Sequence, residues 1–368
     1  MKIDDKTSHN SPSLRFPEFT GEWEKCVLGD VLEFSNTRIN SSELNSGNYV
    51  STENILQNFQ GIVKARSIPE DTNVMAFSCG NILLSNIRPY LKKVWKATFN
   101  GGCSSDVFVL QANSNIDADY LHYVVANDKF IGFVMNGAKG VKMPRGDKNQ
   151  MKTYSLSLPS IKEQRKISRF LSFLDERIAV QSRLIDRLQS LMIGIAQKIA
   201  HSNKPNVRIS DCLECSSSAL QESEVNKTGK YPVYGANGIV GYIDKYHTQN
   251  EAIYIIKDGS GVGGVSYVTG KCSSTGTLNI LQAKNGHSLK YLYYLLKVFN
   301  FVPYKTGMAI PHIYFKDYGK AKIFCPAYPE QLEYAKLLSS IDGNLRIALD
   351  SLKNFNLQKQ YLLRHMLI

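Results

Sequence analysis

The stretch Leu158–Asp175, LPSIKEQRKISRFLSFLD, aligns without gaps on Cys325–Asp342, CPAYPEQLEYAKLLSSID, an offset of 167 residues. Pro159 falls on Pro326, Glu163 on Glu330, Gln164 on Gln331, Leu171 on Leu338 and Asp175 on Asp342. A period of this length is that of a domain rather than of a solenoid unit. It predicts a duplicated chain in the order globular unit, helix, globular unit, helix.

Both matched segments continue as helices with a heptad-like stripe. From Ile167, alternating steps of four and three reach Leu171, Leu174, Ile178, Gln181, Ile185, Leu188, Met192, Ile195 and Ile199. The same steps in the second copy reach Tyr334, Leu338, Ile341, Leu345, Ala348, Leu352, Phe355, Lys359, Leu362 and Met366. One clear polar interruption per stripe, Gln181 and Lys359, reads as a coiled-coil seam whose interruptions set register. Ser160 with Glu163 has capping-box spacing, and Pro329 sits where a first-turn proline is tolerated. The first helix is expected to stop near His201, ahead of Pro205. A helix of some 39 residues is a rod of roughly 58 Å. Two equivalent helices pair most simply antiparallel about a pseudo-two-fold axis, as a ruler between two binding surfaces.

At 368 residues the chain can fill two domains, each with its own core. No run of about 18 apolar residues exists, so no membrane span is expected, and the polar start MKIDDKTSHNSPS lacks the apolar centre of a signal peptide. Seven scattered cysteines suit reduced thiols in a cytoplasm. A net charge of +12 points to a polyanionic partner.

The repeat extends into the globular parts. VLGDVLEFSNTR (27–38) resembles RISDCLECSSSA (208–219), and DYLHYVVAN (119–127) resembles KYLYYLLKV (290–298). GAKGVKMPRG (137–146) matches YKTGMAIPHI (304–313), with Gly140 on Gly307 and Pro144 on Pro311. Between them NILLSNI, KVWKATF, SDVFVL, AIYIIK, GVSYVTG and TLNILQ read as strands. Each half is therefore mixed α/β, with a strand-built middle that differs between copies far more than its frame does. A common frame with different contents predicts two recognition surfaces of one design and different targets.

Catalytic and cofactor motifs are absent or fail on context. Gly259, Gly261 and Gly264 have G-x-G-x-x-G spacing, but GVSYVTG continues as strand and Lys284 stands where a Rossmann site wants an acid. The loop suits close backbone approach instead. Cys212 and Cys215 form a C-x-x-C whose repeat partners are Val31 and Phe34, and no second pair nearby completes a zinc site, so no metal site is expected. No phosphate-binding P-loop, H-E-x-x-H, nucleophile elbow or acidic two-metal cluster is present. No catalytic residue is assigned. The anion-binding candidates are the basic loop Lys139, Lys142, Arg145 and Lys148; its counterpart Lys305, His312 and Lys316; the cluster Arg88, Tyr90, Lys92 and Lys93; and Lys257 before the glycine loop.

On these segments the chain resembles the specificity (S) subunit of Type I restriction–modification systems. The resemblance runs through LRFPEFTGEWEKCVLGDV, NIRPYLKKVWKA, CSSDVFVL and LPSIKEQRKISRFLSFLDERI in the first half. It continues through YPVYGANGIVGYIDKY, IIKDGSGVGGVSYVTGKCSSTGTLNIL and the PEQ-containing second helix. It implies a flexible tail over 1–20, target recognition domains over 21–158 and 204–325, and spacer helices over 159–203 and 326–368. Each recognition domain would read one half of an asymmetric bipartite sequence in double-stranded DNA. The helices would dock two modification (methyltransferase) subunits, and restriction (motor) subunits would complete the assembly. The chain itself would be non-catalytic and cytoplasmic and would hold no cofactor, with S-adenosylmethionine, ATP and Mg²⁺ on its partners. The chain is short for the family, so compact DNA-reading loops are expected. The competing readings are a coiled-coil adaptor indifferent to DNA, and a self-contained DNA-modifying enzyme.

Overall fold

A computed structural model describes residues 11–201 and 204–367. The chain divides into two compact units, one of Met1–Val180 with Leu352–Ile368, the other of Gln181–Ser351. The division falls inside both long helices, so each unit owns one segment of each. The first ten residues of the expected tail lie outside the described residues. From Ser13 onward the chain engages the first unit, because the Leu14 N–H donates to the His365 carbonyl at 2.9 Å and Arg15 grips Glu163.

In the first unit the strands are β1 (Glu24–Val27), β2 (Leu32–Phe34), β3 (Ile82–Ser85), β4 (Val94–Lys96), β5 (Val107–Ala112) and β6 (Ser155–Leu158). Strands β2, β5, β3 and β4 form an antiparallel sheet in that order, and β1 pairs with β6. Every residue of β3 is buried, as the apolar run Ile82–Leu84 suits in a central strand, and the Ser85 hydroxyl that ends it donates to the Ile87 carbonyl. Helices α1 (Ala118–Val125) and α2 (Asp128–Asn136) share a core with this sheet through Tyr120, Leu121, Phe130 and Val134. Asp117 caps α1, accepting from the Tyr120 N–H, and Asn127 caps α2.

Beyond β6 runs α3 (Ile161–His201), in keeping with the stop expected near His201. In the second unit follow β7 (Val207–Arg208), β8 (Leu213–Ser217), β9 (Glu251–Ile256), β10 (Val265–Thr269), β11 (Leu278–Ala283), α4 (Leu289–Val298) and β12 (Lys322–Ile323), then α5 (Tyr328–Met366). The sheet order β8-β11-β9-β10 repeats the first sheet strand for strand. Register is kept as well: Ile82 opposes Leu110 in the first unit, and Ile253 opposes Leu281 in the second. The smaller second sheets differ. The first unit builds four strands from Arg38–Asn40, Asn73–Phe77, Gly101–Cys103 and Tyr49–Val50, the second only three from Gly238–Ile243, Tyr231–Gly235 and Ser273–Ser274.

The matched sequence at the two helix starts is a matched set of bonds. Gln164 accepts from the Asp117 N–H at 2.8 Å and donates to the Pro159 carbonyl at 2.9 Å. Gln331 accepts from the Ser288 N–H at 2.8 Å and donates to the Pro326 carbonyl at 2.8 Å. Both glutamines are buried, so each bond satisfies a group that water cannot reach. They lock the long helix to the cap of the shorter helix beside it. The capping box is only half made. The Glu163 N–H donates to Ser160 Oγ at 3.4 Å, but the Glu163 carboxylate is taken by Arg15 in two bonds of 2.7 and 2.8 Å.

All the predicted seam residues are buried or half-buried. Within the first unit the segments run antiparallel: Glu163, near the start of α3, lies by Arg15 and the end of α5, and Asp175, further along α3, pairs with Lys359, earlier in α5. The polar interruptions have partners. Gln181 Nε2 donates to the Ala348 carbonyl at 3.0 Å within the second unit, and Lys359 also lies over the Tyr123 ring. Gln181 and Ala348 are repeat equivalents.

Candidate nucleic-acid interface

The two basic loops have the same backbone. In the first unit Lys139 and Arg145 exchange two backbone bonds of 3.0 and 2.9 Å, closing a loop over Gly140–Pro144. In the second, Thr306 and His312 exchange bonds of 2.9 and 2.7 Å around Gly307–Pro311. Gly140 (φ +93°) and Gly307 (φ +86°) both adopt left-handed backbone, which favours glycine. A Cβ on Gly307 would lie 2.4 Å from the Ile310 carbonyl oxygen; on Gly140 the nearest atom, the Met143 carbonyl oxygen, would be 3.3 Å away.

Each loop docks on the segment leaving the third strand of its sheet. The Arg88 N–H donates to the Pro144 carbonyl at 2.8 Å, and the Gly259 N–H to the Pro311 carbonyl at 3.0 Å. The clusters read separately from sequence, 88–93 and 139–148, are thus one surface in the first unit. Lys257 joins the His312 loop in the second, where the Ile313 N–H donates to the Lys257 carbonyl. The glycine loop 259–264 is the turn of the β9–β10 hairpin.

The candidate cations divide by what holds them. Arg88, Lys142 and Lys305 are exposed and make no ion pair among the described residues. Arg145 pairs with Asp106 at 3.1 Å, Lys139 with Asp147 at 2.6 Å and Lys92 with Asp128 at 2.8 Å. The Lys139 hydrogen bond holds the Asp147 carboxyl below its ordinary pKa and raises that of the lysine. His312 Nδ1 meets Asp258 Oδ1 at 2.8 Å, and its ring stacks near Tyr314. Lys316 sits over Tyr314, and Lys148 over Phe34 and Phe108. Lys93 turns inward: its ammonium donates to the Thr52 carbonyl, and burial holds its pKa below the usual lysine value. Tyr90 is exposed beside Arg88.

Charge alone missed the apolar tips. Val141 and Met308 occupy equivalent positions and are fully exposed, with Met143 and Ile310 exposed beside them. The signal was in the alignment, as a bulky apolar residue directly after each matched glycine.

The family model described as "Type I restriction modification DNA specificity domain" matches residues 20–190 and 202–354. The chain belongs to this family. The specificity subunit of the Escherichia coli Type I restriction enzyme EcoDI is 33% identical over 93 residues, a quarter of this chain and 20% of that protein. The chain therefore spans about a fifth of the length of that relative in their match. A putative Type I specificity subunit of Mycoplasma pneumoniae is 23% identical over 278 residues, covering 70% of this chain and 71% of that one. The crystal structure of the S subunit of a Type I system from M. genitalium superposes with a TM-score of 0.70 at 17% identity, over 97% of this chain and 99% of that one. Two matched blocks are what a specificity-domain protein with duplicated units should give, and the break between them falls at the end of α3. Among the described residues no helix is long and apolar enough to cross a membrane.

Proposed function

We propose that the chain is the DNA-recognition subunit of a Type I restriction–modification assembly, in which each unit reads one half of an asymmetric bipartite target in double-stranded DNA. One observation carries this reading. The same glycine loop, closed by the same backbone pair and docked on the same segment, presents Lys-Gly-Val-Lys-Met-Pro-Arg in one unit and Thr-Gly-Met-Ala-Ile-Pro-His in the other. A fixed backbone with variable side chains is what base readout by two related modules needs. Exposed Arg88, Lys142 and Lys305 supply phosphate contacts that orient without specifying. The apolar tips suit contact with thymine methyl groups or unstacked base steps.

Catalysis in this reading belongs to partners. Two modification subunits would bring S-adenosylmethionine, and restriction subunits would bring ATP and Mg²⁺. The long helices offer a repeated apolar surface for two copies of one partner: Phe170 and Val180 are exposed in the first unit, and their equivalents Leu337 and Ile347 are exposed in the second. Exposed residues of this size, in matching places, suit docking surfaces.

Mapping methylated adenines across a host genome with and without the chain tests the proposal. A bipartite motif that appears only with the chain is expected. An unchanged methylome in a host that carries the modification subunit would remove the DNA-reading function, and a palindromic motif would remove the assignment of one distinct half-site to each unit.

A further inference from the structure

Three residues far apart in sequence meet in the frame of the second unit. Cys212 ends the short helix Ile209–Cys212, His287 lies in the turn between β11 and α4, and Cys325 follows β12. Their ligand atoms, two thiol sulfurs and one imidazole nitrogen, all lie within 4.8 Å of one another. Both cysteines are buried. His287 Nδ1 is also out of solvent and has no hydrogen-bond partner. A buried ring nitrogen without a partner is costly unless something absent from the protein atoms satisfies it. Cys215, the other half of the C-x-x-C, stands outside the cluster.

The first unit shows what packing alone requires at this place. Cys212 is equivalent to Val31, and Cys325 to Leu158. The matched bonds of Asp117 and Ser288 to Gln164 and Gln331 make His287 the equivalent of Ile116. Val31 and Ile116 belong to one apolar core, and half-buried Leu158 packs against it. The frame is therefore stable with three aliphatic side chains here. The second copy replaces all three with residues that ligate metals; buried cysteines can pack as small hydrophobes, but packing does not explain the histidine with its unpartnered ring nitrogen.

We propose that Cys212, His287 and Cys325 bind a thiolate-seeking divalent transition-metal ion of the zinc class. Bonds of about 2.3 Å to sulfur and 2.0–2.1 Å to nitrogen place tetrahedral donors roughly 3.5–3.8 Å apart, so atoms within 4.8 Å of one another need to draw in by at most about 1.3 Å. The fourth position is left to a water molecule. Binding releases the two thiol protons and leaves the imidazole neutral, and soft sulfur donors select zinc over magnesium or calcium. The ion would tie together the start of β8, the turn before α4 and the segment that leads into α5, where the first unit uses aliphatic contact.

The test is a cobalt titration of the full chain, stripped of metal and kept reduced, followed by thiolate-to-cobalt charge-transfer absorption. One Co²⁺ per chain, displaced by Zn²⁺, is expected. The triple variant Cys212→Val, His287→Ile, Cys325→Leu takes the residues of the first unit and should keep its circular dichroism while losing the absorption band. His287→Ala alone should weaken cobalt binding at least about tenfold. No charge-transfer band in the unsubstituted reduced chain would overturn the proposal. So would an equal band in the triple variant, which would place the metal on other thiols. A Cys212–Cys325 disulfide in the chain as isolated, with no metal taken up after reduction, would also overturn it.

Discussion

Replacing Gly307 with alanine should damage recognition of one half-site and spare the other. Left-handed backbone costs an L-residue about 1–2 kcal/mol. The added Cβ would stand 2.4 Å from the Ile310 carbonyl oxygen, closer than atoms can approach, so the loop must move. It is held by the backbone pair between Thr306 and His312 and by the single bond from the Gly259 N–H to the Pro311 carbonyl. Each such bond contributes about 1 kcal/mol net, so the loop yields before the unit does. If restoring the binding geometry costs the same 1–2 kcal/mol, affinity falls roughly 5- to 30-fold. Gly140→Ala, with 3.3 Å to the nearest atom, should fall at the lower end of that range. The assay is fluorescence anisotropy of the chain assembled with its modification subunits, on duplexes with both half-sites intact or either one scrambled. Gly307→Ala should reduce discrimination at one half-site and Gly140→Ala at the other. Unchanged discrimination at both half-sites, in proteins of unchanged stability, would refute the loop as a reader of bases.

Neutralising Lys142 and Lys305 together, as Lys→Gln, should flatten the salt dependence of DNA binding by a slope of about 2, since each phosphate contact contributes about 0.9; an unchanged slope would place both lysines away from the backbone. Arg15→Ala should cost the first unit about 3–5 kcal/mol, because it strands a Glu163 carboxylate whose side chain is only 2% exposed. Arg15→Met with Glu163→Leu should recover most of that. Both tryptophans, Trp23 and Trp95, lie in the first unit, so urea unfolding followed by tryptophan fluorescence reads that unit alone. Burial, with the Lys359 ammonium nearby, lowers the His122 pKa from 6.5 to about 4. A folded-state value below the unfolded one gives stability that is complete above about pH 6.5 and lost as pH falls toward 4. The imidazole keeps some solvent contact, which reduces the expected loss between pH 7 and pH 5 to about 1–2 kcal/mol; His122→Phe should lack this loss in the same fluorescence assay.

The frame was legible because its determinants are local or repeated. Pro159 with Gln164 and Pro326 with Gln331 recur at one spacing, and the bonds they make span five residues. The extent of α3 as far as His201 agreed with the helix stop signals, and the strands followed from short apolar runs such as Ile82–Leu84. What stayed hidden was pairing across long sequence separation, which periodicity does not encode. Glu163 reads as a capping residue until Arg15 is seen to take its carboxylate across 148 residues. Lys93 reads as a surface cation within a basic run, yet its ammonium finds the Thr52 carbonyl 41 residues away. Cys212 looked unaccompanied because His287 and Cys325 are brought to it only by β11, β12 and the turn before α4.

The way the two glycine loops close explains why their contents are free to differ. Lys139 with Arg145, Thr306 with His312, and the docking of Pro144 and Pro311 all use backbone N–H and carbonyl groups. Side chains between the closing residues contribute nothing to these bonds, and Val141 and Met308 are fully exposed. Exchanging them changes the surface of the loop tip at little cost in stability, in keeping with the small effects of most surface substitutions. The glycine is the exception, because its φ and the carbonyl packed against it fix the loop's path. Under the proposed function, a duplicated unit of this construction would take up a new half-site by changing loop residues alone, provided Gly140 or Gly307 stays.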